Sequence, residues 1–321
     1  MISIRLGIAL DANPGMHASR ADIRNRLGWC AEVLDAAQEA GVDSAWFGQG
    51  HSAGGGHLSD PLLVIAALAR NRTLEMGTGV LLLPAYNLVR LASETALLQH
   101  LTDGRLALGI GGGDPGIRAR FGLPARPLGR LLDESIPELR RLWAGTPFPP
   151  VEPIPILVGG AVAASARRAA VLGDGLYLST ADSRRQIGDL TALYRRHLGD
   201  RGRAGGRVLV NRLCVVHQDA ERAQQLARTH LLPTLRNYQT SGALEAGPDP
   251  TPGDDAGALI DRFCLVGDPD RIADQLTEYV AMGVTDVNLR IAPQGISPDQ
   301  AAVTVGLLPT VRRLLAARPE C

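Results

Sequence analysis

The sequence predicts an α/β fold in the form of one (β/α)8 TIM barrel that occupies the whole chain, residues 1–321. Three observations support this prediction: eight apolar runs of strand length, segments of helical periodicity between them, and glycines at the ends of predicted helices. Because strand and helix alternate, the strands are expected to be parallel and joined by crossover helices. Eight such units match a closed barrel, and a doubly wound open sheet is the alternative.

The apolar runs that predict the strands are short and are bounded by turn or helix signals. They cover residues 4–10, 44–47, 79–83, 106–110, 154–158, 176–178, 208–216 and 284–291. Helical spacing fills the intervals, as in Leu132, Ile136, Leu139 and Trp143 before the fifth run. Gly41 and Gly283 each end an amphipathic helix immediately before a β-rich run, which is typical of a helix-to-strand joint.

Residues 229–262 interrupt this alternation between the seventh strand and the last strand-forming unit. They show little apolar periodicity and contain the stretch GALEAGPDPTPGDDAG. We therefore predict an insertion after strand seven. Since barrel active sites are built from loops at the carboxyl ends of the strands, this insertion is a candidate lid, and a disordered surface loop is the alternative.

Composition and charge exclude several classes of function. With 45% hydrophobic and 21% charged residues, the chain is of ordinary soluble globular composition. Thirty-three basic and thirty-three acidic residues cancel, so no global field would gather nucleic acid or an acidic membrane. The N-terminus lacks signal-peptide features and no apolar run could span a bilayer, so a cytoplasmic location is expected.

The four cysteines are isolated along the chain, at Cys30, Cys214, Cys264 and Cys321. This spacing supports neither a disulfide framework nor a zinc site. We interpret the first three as packed apolar thiols and the last as a free residue of the tail.

One glycine-rich stretch lies near the third predicted strand and another leaves the fourth. Small residues at 77–80 would let a planar ring approach the backbone, and a bulge or barrel bend is the alternative. The stretch LGIGGGD at 108–114 superficially resembles a dinucleotide fingerprint, but a proline follows it and no helix opens at once. A glycine-lined pocket edge, with Gly111 within it and Asp114 at its end, fits this sequence better.

A third glycine-rich stretch, Gly159-Gly160-Ala161, leaves the fifth strand and opens a helix. Backbone N–H groups at a helix start favour anions, and Ser165 could add a hydroxyl, so a phosphate group could bind here without a lysine. A tight turn without a ligand is the alternative.

Three titratable residues lie at predicted strand ends on one face of the barrel, namely Asp11, His51 and Asp114. Core packing does not explain a histidine within the glycine-rich loop at 51–57, so we predict a catalytic role for these residues. A metal site of His51, His57 and an aspartate is the alternative, but an HxxxxxH spacing in a loop does not fix ligand geometry. No metal is therefore predicted.

Together these stretches resemble the luciferase-like superfamily of barrel oxidoreductases, whose members use reduced FMN or the deazaflavin coenzyme F420. The resemblance covers most of the chain and rests on five segments: AEVLDAAQEAGVDSAWFGQGH at 31–51, DPLLVIAALARNRTLEMGTGVLLLPAYN at 60–87, residues 101–145, IPILVGG at 154–160 and FCLVGDPDRIADQLTEYVAMGVTDVNL at 263–289. The GIGGGD stretch and the FG and PL that follow it are most similar to the F420-dependent branch that includes methylenetetrahydromethanopterin reductase.

The resemblance implies where the cofactor and the substrate would bind. The family usually places a non-proline cis peptide in the strand-three bulge, here at Gly79-Val80, behind the deazaflavin ring. The residues expected to bind the cofactor are Gly77, Thr78, Gly79, Val80, Gly111, Gly159, Gly160, Ala161 and Ser179. His51 and Asp114 would supply or accept the proton that accompanies hydride transfer.

The leading hypothesis from the resemblance is an F420-dependent reductase that transfers a hydride to or from a small organic substrate. A reduced-FMN monooxygenase and a barrel that has lost its chemistry are the alternatives. Gln49 and the stretch at 87–89 depart from residues common in the family. The resemblance therefore says least about the residues that bind the substrate. Relatives often form homodimers through helices near strands two and three, and the apolar run at 62–65 suits either that interface or the barrel wall.

Overall fold

The structure is a computed structural model that describes residues 4–12, 18–49, 60–113, 121–122, 127–240, 242, 244, 256–291 and 296–319. The strands are β1 (Arg5–Leu10), β2 (Ser44–Phe47), β3 (Glu75–Leu82), β4 (Leu106–Gly111), β5 (Ile156–Gly159), β6 (Gly175–Leu178), β7 (Arg207–Val216), β8 (Cys264–Gly267) and β9 (Asp286–Arg290). The helices are α1 (Arg20–Glu39), α2 (Pro61–Leu68), α3 (Leu88–Leu101), α4 (Leu128–Gly145), α5 (Ala163–Leu172), α6 (Arg184–Gly199), α7 (Ala220–His230), α8 (Leu232–Thr240), α9 (Ala256–Phe263), α10 (Pro269–Ala281) and α11 (Pro298–Ala316).

Eight strands form a closed parallel barrel. The hydrogen-bonded order runs β6-β5-β4-β3-β2-β1-β9-β7, and a β6–β7 pairing closes the ring. The predicted (β/α)8 barrel is therefore confirmed. A further strand, β8, pairs in parallel with the carboxyl-terminal half of β7 and is additional to the ring. The sequence analysis did not predict this strand, although its four residues form a run as long as the predicted one at 44–47.

The described parts of the interval 229–262, predicted as a loop or lid, are mostly helical. Helix α7 ends at His230, α8 covers Leu232–Thr240, and α9 begins at Ala256. These helices form because a few apolar side chains at helical spacing are buried, namely Leu232, Leu235, Leu259, Ile260 and Phe263. The loop prediction is thus wrong for these parts, while residues 245–255 lie outside the described residues.

Side-chain oxygens cap the amino ends of seven helices, and these caps fix where each crossover begins. Each cap accepts a hydrogen bond from a backbone N–H of the first turn, which stabilises the helix by about 1 kcal/mol. The capping residues are Ser19, Asp60, Asn87, Ser183, Asp219, Asp268 and Ser297.

A network of ion pairs lies at the amino-terminal end of the barrel. Arg207 lies 2.8 Å from a Glu75 carboxylate oxygen and 2.6 Å from an Asp286 oxygen, and Arg5 lies 3.3 Å from Glu75. Burial lowers the pKa of Arg207, but the two carboxylates outweigh it and raise this pKa above its ordinary value. The network therefore ties together the first residues of β1, β3, β7 and β9 at this end of the barrel.

The described part of the chain contains no helix that is long and apolar enough to cross a bilayer.

Three cysteines are buried with free thiols, as predicted, and their reactivity is expected to be low. Burial raises the pKa of Cys30 to about 11 and that of Cys264 to about 12, and it also raises that of Cys214. At pH 8 a thiol with a pKa of 11 is ionised to only about 0.1%. Iodoacetamide should therefore leave all three unmodified in the native protein, as checked by peptide mass spectrometry.

Unfolding in urea provides the control for this prediction, because all three thiols should then be alkylated within minutes. Rapid alkylation of any of the three in the native protein would contradict the buried placement.

Candidate active site

A cavity of about 700 Å³ opens at the carboxyl-terminal ends of the barrel strands. Each strand of the eight-stranded ring contributes to its wall, from Asp11 after β1 to Arg290 at the end of β9. Helix α8 adds Tyr238. Known (β/α)8-barrel enzymes bind their ligands at this end of the barrel.

The flat part of the wall is formed by glycines around Val80. The register between β3 and β4 shifts between Thr78 and Leu81, and the Gly79–Val80 peptide is cis, as the family resemblance implies. A Cβ on Gly111 would lie 2.9 Å from a methyl group of Val80, and one on Gly159 would lie 3.3 Å from the other methyl group. The glycines therefore leave Val80 room to present a smooth apolar surface to the cavity.

Gly77 and Thr78 do not line this cavity. A Cβ on Gly77 would lie 2.3 Å from the ring of Trp46, so glycine is needed for the packing of that indole. The hydroxyl of Thr78 donates a hydrogen bond of 2.8 Å to the carbonyl oxygen of Gly109. Both residues are placed to support the bulge from behind, and their predicted contact with a cofactor stays a prediction.

A cradle of small residues lies at the end of β5. Gly160 has φ of +147°, and a Cβ there would lie 2.2 Å from the hydroxyl oxygen of Ser165. Helix α5 starts just beyond, and no side chain caps its first turn. Its free N–H groups and the Ser165 hydroxyl thus form a site suited to an anionic group such as a phosphate.

Arg168 brings positive charge to the same end of the cavity. Its side chain is largely buried, and its Nε donates a 2.7 Å hydrogen bond to Asp133 on α4. A Cβ on Gly129 would lie 2.7 Å from the Arg168 guanidinium, so glycine at this position leaves space for it. The sequence analysis did not identify Arg168, since its partner is 35 residues away on another helix.

Polar atoms without partners lie in the deeper wall of the cavity. The Asn211 side-chain oxygen and the Thr180 hydroxyl are buried and have no hydrogen-bond partner among the described residues. Nearby, the Tyr177 hydroxyl accepts a 3.4 Å hydrogen bond from Asn288, and burial raises the pKa of this tyrosine. Because buried polar groups are almost always paired in native proteins, Asn211 and Thr180 are suited to pair with polar atoms of a ligand or with water in the cavity.

A charged cluster lies on the side of β1 and β9. The Arg290 guanidinium donates a 2.8 Å hydrogen bond to the Tyr238 hydroxyl, and Asp11 lines the cavity beside them. Tyr238 and Asp11 raise the pKa of Arg290 despite the opposing effect of burial. This arginine is therefore a permanent cation inside the cavity.

Of the predicted site residues, eight meet in the cavity: Asp11, Gly79, Val80, Gly111, Gly159, Gly160, Ala161 and Ser179. His51 and Asp114 lie outside the described residues, so their catalytic roles stay predictions. Other polar residues of the wall were missed, among them Arg168, Tyr177, Thr180, Asn211, Tyr238 and Arg290. The only signal available was a polar residue inside an apolar run for Asn211 and a polar residue near the end of an apolar run for Arg290.

The family model for luciferase-like monooxygenases matches residues 4–286 of this chain. The chain belongs to the luciferase-like monooxygenase family. This match confirms the resemblance that the sequence motifs indicated, and it covers strands β1 to β8 and ends at Asp286, the first residue of β9.

The proteins similar to this chain include flavin-dependent and F420-dependent enzymes. The chain is similar to a 4-hydroxyprotoasukamycin monooxygenase from Streptomyces nodosus subsp. asukaensis, with 39% identity over 117 residues, which is 36% of this chain and 31% of that protein. It is also similar to an F420-dependent glucose-6-phosphate dehydrogenase from Beutenbergia cavernae, with 26% identity over 284 residues, 78% of this chain and 83% of that protein. The matches to the first curated relatives span about a third of their length.

The fold is shared with an FMN-bound solved structure. The oxygenating constituent of 3,6-diketocamphane monooxygenase from Pseudomonas putida superposes with a TM-score of 0.82 at 18% identity, over 100% of both chains. At this identity the similarity establishes the barrel fold.

Proposed function

We propose that this luciferase-like family member is an oxidoreductase that binds coenzyme F420 in the barrel mouth and transfers a hydride between it and a small organic substrate. The observation that carries the proposal is the pairing of two features across one cavity: the smooth surface at Val80 and the anion cradle at Gly160. The similarity to an F420-dependent dehydrogenase along 78% of the chain supports the choice of cofactor.

The residues present fit a tricyclic ring that carries a phosphate. Gly160, Ala161 and Ser165 would hold the phosphate, and Val80 would support the face of the ring. Asn211 and Thr180 would pair with polar atoms at the ring edge, which accounts for their lack of protein partners. When bound, F420 supplies a ring carbon that gives or takes a hydride.

The protein's own contribution is orientation, exclusion of water and handling of the proton. Leu10, Leu82, Leu128 and Leu132 line the cavity and would keep solvent from the reacting carbon. Asp11 is the described carboxylate in the wall, and it is a candidate for the proton transfer that accompanies hydride transfer, together with the predicted His51 and Asp114.

Equilibrium binding tests this proposal. We expect F420 to bind with a micromolar or lower Kd, followed by the fluorescence of the deazaflavin, and to bind at least about tenfold more tightly than FMN. Absence of binding for both cofactors at micromolar concentration would reject a ring site in this cavity.

A reduced-FMN monooxygenase is the second candidate. The 39% identity to a monooxygenase over 117 residues favours it, and the leucines of the cavity wall would provide the dry pocket that oxygen chemistry on a flavin needs. Tighter binding of FMN than of F420, with oxygen consumption that depends on an added flavin reductase, would establish this alternative in place of the first. A deazaflavin reacts poorly with oxygen, so the two outcomes are distinct.

A further inference from the structure

Among the described residues, no side chain caps the amino ends of α4 and α5, and both ends reach the cavity. Pro127 and Val162, which precede the two helices, have no side-chain oxygen. Neither helix has an acidic residue in its first turn. The first backbone N–H groups and the positive ends of both helix dipoles therefore remain available to an anion in the cavity.

The side chain of Arg168 joins these two helix ends. Arg168 follows Ser165 by three residues, so both side chains lie on one face of α5. Its Nε and Nη2 donate hydrogen bonds of 2.7 and 3.3 Å to the two oxygens of Asp133 on α4, and its Nη2 lies beside Gly129 in the first turn of α4. The axes of packed helices are about 8–10 Å apart, which is further than one phosphate group reaches. The guanidinium therefore marks a position separate from the cradle at Gly160.

Arg168 keeps hydrogen-bond donors for a ligand. Its side chain is 7% exposed and lines the cavity, and its Nη1 makes no hydrogen bond within the described part of the chain. The backbone N–H groups of Leu128 and Gly129 also have no partner among the described residues. The carboxylate of Asp133 opposes an anion here only weakly, because that side chain is 42% exposed and water screens its charge. The donors are therefore suited to an anionic group.

We propose that the α4–α5 corner, formed by Arg168 and the amino end of α4, binds a second anionic group that lies beyond the phosphate in the same ligand. The inference rests on the proposed function, in which that ligand is F420. This coenzyme carries a carboxylate-bearing chain on its phosphate, whereas FMN ends at its phosphate. Arg168 is then a specificity-determining residue that favours F420 over FMN, and Asp133 is a positioning residue that fixes the guanidinium.

Three forms of the deazaflavin test the two anion sites separately and without any turnover. They are the chromophore without phosphate, its 5′-phosphate and F420 itself, each titrated by fluorescence against the full chain. The affinity of the 5′-phosphate relative to the chromophore measures the cradle, and the affinity of F420 relative to the 5′-phosphate measures the α4–α5 corner. We expect this second ratio to be at least about fivefold in the wild type at low ionic strength, and to fall as salt is added.

Variants then assign the second ratio to Arg168. Arg168→Met should bring it close to one, while the first ratio and the Kd of FMN stay within about twofold. Arg168→Lys should keep part of it because one cation remains. Gly129→Ala retains the arginine and should still lower the second ratio, because the added Cβ would lie 2.7 Å from Nη2 and displace the flexible end of that side chain. Arg167→Met, at the exposed neighbouring position of α5, is the matched control and should change neither ratio.

Two results would overturn the inference and leave the proposed function in place. One is equal affinity of the wild-type protein for F420 and for the 5′-phosphate. The other is an equal loss of affinity for both in Arg168→Met, which would make Arg168 part of the cradle. Failure of the proposed function has a different signature, because the protein would then bind none of the three deazaflavins at micromolar concentration, and the inference would be rejected together with it.

Discussion

Replacement of Arg212 by methionine is expected to lower the free energy of unfolding by at least about 3 kcal/mol. This arginine on β7 is 0% exposed. Its guanidinium donates hydrogen bonds to the carbonyl oxygens of Ser179 (3.2 Å), Thr180 (3.0 Å) and Asp182 (2.6 Å), and to the Tyr279 hydroxyl (2.7 Å). Methionine keeps much of the volume but leaves three buried carbonyls without this donor, at a cost of about 1 kcal/mol or more each. Urea unfolding measures the change.

The same hydrogen bonds join β7 to a segment that lines the cavity. Arg212 holds the segment at 179–182, from which Ser179 and Thr180 line the wall. Arg212→Lys should also be destabilised, because a single ammonium cannot reach the three carbonyls that the planar guanidinium spans. Arg222→Met, on the exposed face of α7, should stay within about 0.5 kcal/mol of the wild type. If Arg212→Met unfolded at the same midpoint urea concentration as the wild type, these hydrogen bonds would make no net contribution to the free energy of unfolding.

The barrel was predictable because its signals are local. Apolar runs of strand length and helices that end at Gly41 and Gly283 are properties of neighbouring residues. They predict the alternation of strand and helix without reference to distant parts of the chain. Helix α8 was missed for the converse reason. It buries only Leu232 and Leu235, so most of its stability comes from tertiary packing that a local pattern does not contain.

The residues of the candidate site also differ in whether a local sequence signal identifies them. The glycine-rich stretch at 159–161 was identified from the residues because it directly follows an apolar run, whereas the cis peptide at Gly79-Val80, within β3, was expected from the family resemblance. The Arg290–Tyr238 contact joins a strand end to a helix 52 residues earlier, and only the closed barrel brings the two together. The sequence therefore predicts where a cofactor would approach the backbone, but not which side chains face it across the cavity.

Replacement of Gly160 by valine is expected to weaken binding of a phosphate-bearing cofactor by at least about tenfold. The backbone at Gly160 has φ of +147°, which a β-branched residue adopts only under strain, and a Cβ would lie 2.2 Å from the Ser165 hydroxyl oxygen. The new side chain must displace Ser165 or turn the peptide away, and either change opens the cradle. Fluorescence titrations of F420 against its phosphate-free chromophore, and of FMN against riboflavin, measure the effect.

The phosphate-free compounds show whether a loss of affinity in Gly160→Val comes from lost contacts with the phosphate. Wild-type protein should prefer the phosphorylated member of each pair, and Gly160→Val should lose most of that preference while its affinity for riboflavin changes little. Gly28→Ala is the matched control, because no atom lies within 4 Å of the added Cβ and alanine favours helix α1 by about 1 kcal/mol. Its affinities should equal those of the wild type. An unchanged preference in Gly160→Val would mean that the phosphate binds elsewhere, since a strained and filled cradle cannot present its N–H groups to an anion as the glycine does.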